Sequence, residues 1–159
     1  MVNPATEDIV AWVPSGGEND VHRAAQAASA AFDSWSRSPI AERVEIFRKM
    51  ARLTEARADE ITRSIVTELG YPITWAAKSQ TAGAVEELEI IAKTLQQIAW
   101  TEQVGNTQVS REPSGVVAAI TAWNAPLRSV ISKAGAAIAA GCTVCLLYTS
   151  PSPRDVEES

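Results

Sequence analysis

The sequence predicts an α/β fold in which a helix-rich front leads into an incomplete parallel sheet. Three observations carry this expectation. The run Gly115-Val116-Val117-Ala118-Ala119-Ile120 has no polar side chain, as in a strand covered on both faces of a parallel sheet. A polar loop follows it, then Pro126 and small residues to about Ala140, then Gly141 and the apolar start Cys142-Thr143-Val144. Strand, loop, helix and strand in that order make a βαβ unit. Upstream, apolar residues recur at helical spacing from Val21 to Leu95.

The elements can be justified in order. Asn3-Pro4 opens a turn, and Ile9-Val10-Ala11-Trp12-Val13 has the β-branched and aromatic content of a short strand. Ser15-Gly16-Gly17 breaks it. Asn19 or Asp20 is the expected cap of a helix from about Val21 to Trp35, which carries Val21, Ala24, Ala25, Ala28, Phe32 and Trp35 on one face. Ser38-Pro39 restarts the chain as N-cap and first helical residue, and the next helix buries Val44, Phe47 and Ala51. A third helix ends at Glu68-Leu69-Gly70, with Pro72 beyond it.

From Thr74 to about Gln97 one long helical pattern places Ala77, Ala84, Leu88, Ile91 and Leu95 on one side. Glu86 and Glu89, three apart, share its solvated face, while Glu87 points elsewhere. His22, the single histidine, lies in a first helical turn and reads as structural. After Trp100, Thr107 to Glu112 looks like a strand with one wet face.

Composition sets outer limits. A chain of 159 residues, 46% hydrophobic and 21% charged, is long enough to bury a real core. Its net charge of −5 argues against nucleic acid and against an anionic membrane surface. The stretch Ala134 to Tyr148 falls short of the roughly 18 apolar residues of a spanning helix. With acidic Glu7 and Asp8 at the front and no basic, then apolar, leader, the expectation is a reduced cytoplasmic protein. Cys142 and Cys145 form a C-x-x-C without a second pair or a nearby His, too little for a zinc or redox site.

The chemistry-bearing segment is Thr121-Ala122-Trp123-Asn124-Ala125-Pro126-Leu127, at the carboxyl end of the apolar run. In open α/β sheets that edge is where ligands bind. An Asn amide there can donate to a developing oxyanion; by spacing alone it can equally cap the strand–helix turn.

Four motifs in sequence order resemble the aldehyde dehydrogenase superfamily: N-P-A-T-E from Asn3, E-L-G-Y-P from Glu68, R-E-P-S-G-V-V from Arg111, and T-A-W-N-A-P-L from Thr121. The resemblance covers Val2 to about Val144. Its usual last motif has Pro before Trp and Phe after Asn, where this chain has Ala122 and Ala125. It implies the amino-terminal, Rossmann-like part of an NAD(P)-binding domain over 1–144, with part of an oligomerisation hairpin near 101–115. The implied reaction is oxidation of a small aldehyde to an acid through a cysteine thioester, using NAD or NADP, in a parent homodimer or homotetramer. Asn124 matches the oxyanion-stabilising asparagine, and Thr121, Ala122, Trp123 and Asn124 match backbone along the cofactor. The nucleophilic Cys, general-base Glu, cofactor Lys and glycine-rich turn have no counterpart, so the chain by itself is expected to be inactive.

Cys145 to Asp155, C-L-L-Y-T-S-P-S-P-R-D, resembles a translated sequencing-library adapter. The expectation is a non-native, disordered tail over 145–159, with the strand breaking at Val144 because two closely spaced prolines cannot sit in a central strand. Two other readings compete with the enzyme fragment. One is a small helical interaction module that docks through the long helix. The other is a thiol oxidoreductase using Cys142 and Cys145, which needs a thiolate-stabilising helix N-terminus at the pair.

Overall fold

The computed structural model describes residues 1–148. Three helices open it: α1 (Glu18–Ser36), α2 (Ile40–Ala56) and α3 (Ala58–Leu69). α4 (Ile73–Trp75) runs through a π-helical stretch, Ala76–Ala82, into α5 (Gly83–Gln97). A hairpin, β1 (Thr101–Val104) and β2 (Thr107–Ser110), precedes β3 (Val116–Thr121). α6 (Pro126–Val130), a second π-helical stretch (Ile131–Gly135) and α7 (Ala136–Ala139) then lead to β4 (Thr143–Tyr148).

The predicted βαβ unit is present. β3 and β4 pair in parallel, from Val116 opposite Thr143 to Thr121 opposite Tyr148. The core lies between α2 and α5, where Val44, Phe47 and Ala51 meet Ala84, Leu88, Ala92 and Leu95, with Ile131 and Ala139 closing the cluster. Phe47 and Leu88 are each 1% exposed, and burial of such side chains stabilises by about 1.5–3 kcal/mol apiece. This packing holds the α6–α7 crossover against the long helix and so fixes where β3 delivers its loop.

Several local expectations are corrected. Ile9 to Val13 is not a strand; only a Val2–Ile9 bridge forms, because the segment folds back on itself. Asn3 N–H donates to the Asp8 carbonyl, Glu7 N–H to the Asn3 carbonyl, and the amino terminus to the Ala11 carbonyl, leaving Trp12 without a neighbouring strand. α1 starts earlier than predicted, capped at Gly17, whose N–H donates to the Asp20 carboxylate at 2.8 Å. Ser38 is not a cap: Pro39 is, and the Ser38 hydroxyl donates to the Trp35 carbonyl instead.

In the long helix, Ala76 is fully buried and Ala77 exposed, the reverse of the regular pattern. The π-helical stretch inserts residues per turn and rotates the upstream face. The hairpin strands are exposed at every position, so Thr107–Ser110 has no dry face.

The tail expectation is corrected in part. β4 continues past Val144 through Cys145-Leu146-Leu147-Tyr148, with Cys145 buried and paired opposite Ala118. Those four residues suit a strand, and the prolines that argued against one lie further along, at 151 and 153. The rest of the predicted tail, 149–159, lies outside the described residues.

Candidate active site: the loop after β3

Thr121 ends β3 fully buried, and its hydroxyl donates to the Leu147 carbonyl at 3.4 Å. Beyond it the chain surfaces: Ala122, Trp123 and Asn124 are all exposed. Pro126 occupies the first turn of α6, and the Ser129 N–H closes that turn on the Ala125 carbonyl at 2.8 Å. The expected site residues thus form one continuous segment at the carboxyl edge of a parallel strand.

The capping role considered for Asn124 is not the one it takes here. The N-cap of α6 is Ala125, with no side-chain capping bond, and the Asn124 carboxamide makes no hydrogen bond to a described residue. The residue is exposed while its backbone is held. The Tyr71 phenol donates to the Asn124 carbonyl at 2.6 Å, the Lys133 ammonium to the Ile120 carbonyl at 2.9 Å, and the Tyr148 phenol to the Trp123 carbonyl at 3.5 Å. Burial, and then the nearby Glu68 carboxylate, push the Tyr148 phenol above its ordinary range, so it stays protonated as a donor at neutral pH.

Beside the loop lies a polar cavity of about 240 Å³ lined by Gln80, Glu87, Ala125, Arg128, Ser129 and Ser132. The Arg128 Nε and Glu87 Oε2 stand 3.7 Å apart, too long for a hydrogen bond and short enough for an ion pair. Gln80 is 3% exposed and, among the described residues, its Oε1 has no hydrogen-bond partner. Such an orphan acceptor is costly unless a donor reaches it. As expected, Glu87 turns away from Glu86 and Glu89, which stay exposed. His22 stands 3.6 Å from Glu18 on the exposed surface of α1.

The cysteines lie elsewhere. Both are buried and free. Cys142 precedes Thr143, which pairs with the first residue of β3, so it sits at the strand end opposite the loop, roughly 16 Å away at a strand's rise per residue. The Arg43 guanidinium, from the start of α2, interacts electrostatically with Cys142. Tyr71 lay within the E-L-G-Y-P motif without a stated role, and no motif announced Lys133, Gln80 or Arg128; Tyr71 and Gln80 meet the loop across the fold, whereas Arg128 follows Asn124 by four residues. Lys133 lies about two turns past Pro126 on the crossover helix.

The comparisons agree with this geometry. The chain matches the aldehyde dehydrogenase family over residues 1–154. It is 38% identical over 154 residues to a 3-succinoylsemialdehyde-pyridine dehydrogenase of a Pseudomonas species, covering 96% of this chain and 32% of that one. It is 34% identical to a glutarate-semialdehyde dehydrogenase of Pseudomonas putida, with the same 96% covered and 33% of the relative. Among solved structures, a mutant of Pseudomonas syringae aldehyde dehydrogenase C in complex with NAD+ and octanal superposes with a TM-score of 0.88 at 41% identity, over 91% of this chain and 30% of that one. The chain therefore spans about a third of the length of the curated relatives it matches. These matches favour neither a stand-alone interaction module nor a thiol oxidoreductase. From the β3 loop to its helical front, the chain belongs to the aldehyde dehydrogenase family.

Proposed function

We propose that the chain supplies the oxyanion donor and part of the cofactor-facing loop of an NAD(P)-dependent aldehyde dehydrogenase acting on small aldehydes with a polar tail. One observation carries the reading: among the described residues the Asn124 carboxamide has no hydrogen-bond partner at the carboxyl edge of β3, on a backbone tied down from both sides. A donor fixed before the reaction stabilises charge as it develops on the carbonyl oxygen without reorganising at that moment. Beyond the buried Thr121, which anchors the end of β3, Ala122, Trp123 and Asn124 offer an exposed, small-to-planar surface against which an extended cofactor can lie. The nicotinamide group, when bound, accepts the hydride. The thiolate and the water-activating carboxylate belong, in this reading, to the remainder of a longer protein, since Cys142 and Cys145 are buried away from the loop.

The polar cavity supports the substrate class. Arg128, Ser129 and Ser132 with Glu87 and Gln80 present charge and hydrogen bonds where an alkyl chain would leave them unsatisfied. Relatives named for semialdehyde substrates point the same way. The exposed β1–β2 hairpin, with Val104 60% and Val109 39% exposed, is the segment we assign to subunit pairing in a dimer or tetramer. Among the described residues no helix is long and apolar enough to cross a membrane, and a cytoplasmic setting suits the two free thiols.

The experiment is to express the longer reading frame and follow NAD(P)H formation with glutarate semialdehyde against octanal. The expected result is a higher kcat/KM for the carboxylate-bearing aldehyde. Asn124→Ala should lower kcat by about 100- to 1,000-fold with little change in KM. A kcat within twofold of the parent would sink the assignment of Asn124.

A further inference from the structure

We propose that Tyr71 is a positioning residue for the candidate oxyanion donor, acting through the backbone of Asn124 rather than on substrate; this rests on the reading of Asn124 given above. Tyr71 lies 53 residues before Asn124, and its phenol donates to the Asn124 carbonyl at 2.6 Å, the short range of a strong O–H···O bond.

The local structure is built to deliver it. α3 ends at Gly70 in the left-handed conformation (φ 70°), which turns the chain abruptly before Pro72 begins the long helix. A side chain at Gly70 is excluded twice, by that φ and by the Pro4 ring, which would stand 2.7 Å from a Cβ. The Tyr71 ring is then steadied edge-on against Trp75, with centroids 4.7 Å apart and planes at 71°.

What the phenol holds is the weak point of the loop. Among the described residues the Asn124 side chain has no hydrogen-bond partner, and Ala125 begins α6 with no side-chain cap. Between the Lys133 anchor on the Ile120 carbonyl and the first closed turn of α6, the Tyr71 bond is the strongest restraint on the 124–125 peptide. If that peptide rotates, the Asn124 Cα–Cβ vector swings and the carboxamide leaves its aim. Preorganised donors tolerate little such loss.

The test uses the full-length enzyme, with Tyr71→Phe, Asn124→Ala and the double variant. Tyr71→Phe keeps the ring and its Trp75 contact and deletes only the donor. The expected result is a kcat lowered about 3- to 10-fold, the range set by one hydrogen bond, with KM for aldehyde and cofactor within twofold. In the Asn124→Ala background the same substitution should cost nothing further, because there is no carboxamide left to aim. Deuterium uptake of peptides spanning residues 121–127 should accelerate in Tyr71→Phe, with the α2–α5 core unchanged. An unchanged kcat and uptake in Tyr71→Phe overturn the proposal. So does an equal loss of kcat in both backgrounds, which would mark a general packing role. Were Asn124→Ala itself silent, the assignment of Asn124 would fall, while the uptake of the loop would still decide whether Tyr71 restrains it.

Discussion

Arg43 is the most consequential side chain outside the loop, and its removal has a size that can be worked out. It is 3% exposed, yet none of its hydrogen bonds among the described residues goes to a carboxylate. Instead its Nε donates to the Ser38 hydroxyl at 2.8 Å, one Nη to the Ala139 carbonyl at 3.3 Å, and the other to the Ser36 and Ser38 carbonyls at 2.9 and 3.0 Å. It also lies over the Trp35 ring, 5.8 Å from its centroid. One guanidinium thus ties the α1–α2 corner to the end of the crossover helix, 96 residues away. Burial pushes its pKa down, and Cys142 and Glu42 oppose that by Coulomb attraction; Arg stays charged regardless.

Arg43→Met deletes four charge-assisted bonds and relieves the desolvation of one cation. The carbonyls it abandons each cost about 1–3 kcal/mol if buried and unpaired, so a net loss of about 3 kcal/mol is expected after relief of the charge. Arg43→Lys keeps the charge but cannot fork across acceptors on both sides, and should lose about 2 kcal/mol. Against a domain stability of about 5–15 kcal/mol these are large fractions. Urea unfolding followed by far-UV circular dichroism reads them as shifts in midpoint at constant slope. Gly141→Ala is the companion variant: its φ is 91° and a Cβ there would stand 2.6 Å from Arg43 Nη1 and 2.7 Å from the Pro113 ring. It should cost less in the Arg43→Met background, where the guanidinium no longer blocks it. A loss under about 1 kcal/mol for Arg43→Met, or additive costs for the pair, would refute the account of Arg43 as a tie between the layers.

Two other predictions concern the surface. The Arg57 guanidinium donates twice to the Glu60 carboxylate, at 2.6 and 2.9 Å, and these bonds, then Coulomb attraction, hold Glu60 below the usual glutamate range. The lowered folded pKa means the pair contributes stability above the unfolded value and loses it as pH falls through the folded one. Carboxyl NMR should find Glu60 titrating below the exposed glutamates and returning to them in Arg57→Gln; coincident titrations in both proteins would contradict it. On the sheet, Ile120 and Val116 are 54% and 41% exposed on strand β3, which has one paired edge among the described residues. The isolated chain should self-associate at micromolar concentration, and Ile120→Lys should reduce light scattering several-fold with its helical signal intact; equal scattering by both would discount the strand as the sticky element.

What the sequence disclosed was set by locality. The βαβ unit was legible because an all-apolar strand, a proline-started helix and a glycine stop follow one another within thirty residues. Gly70 and Gly141 were legible as stops, and both adopt positive φ. Ile9 to Val13 misled because strand composition says nothing about whether a partner strand exists. Ser38 misled because its hydroxyl is claimed by Trp35 and Arg43, a tertiary demand that overrides its capping preference. At the site, the place of Asn124 on an exposed loop directly after β3 was readable. Tyr71, Gln80 and Arg128 were not, since their roles depend on which faces of separate helices meet.

The π-helical stretches explain why that last class was illegible. A regular helix from Ile73 to Gln97 would carry one apolar stripe, and the residues from Ala84 onward already commit that stripe to α2. Such a helix would bury Ala77; the wider turns bury Ala76, Gln80 and Thr81 instead. Thr81 finds the Thr62 hydroxyl at 2.8 Å, which offsets the cost of burying it, whereas Gln80 Oε1 is left without a partner in the cavity beside Asn124. The second stretch, Ile131–Gly135, carries Lys133, whose ammonium anchors the Ile120 carbonyl. Each irregular stretch thus surrenders ideal helical bonding next to the same loop and places there a polar side chain that a regular helix would have aimed elsewhere. π-helical turns are rare and recur at functional sites. Two of them converging on one strand–helix loop set that loop apart from the regularly packed α2–α5 core.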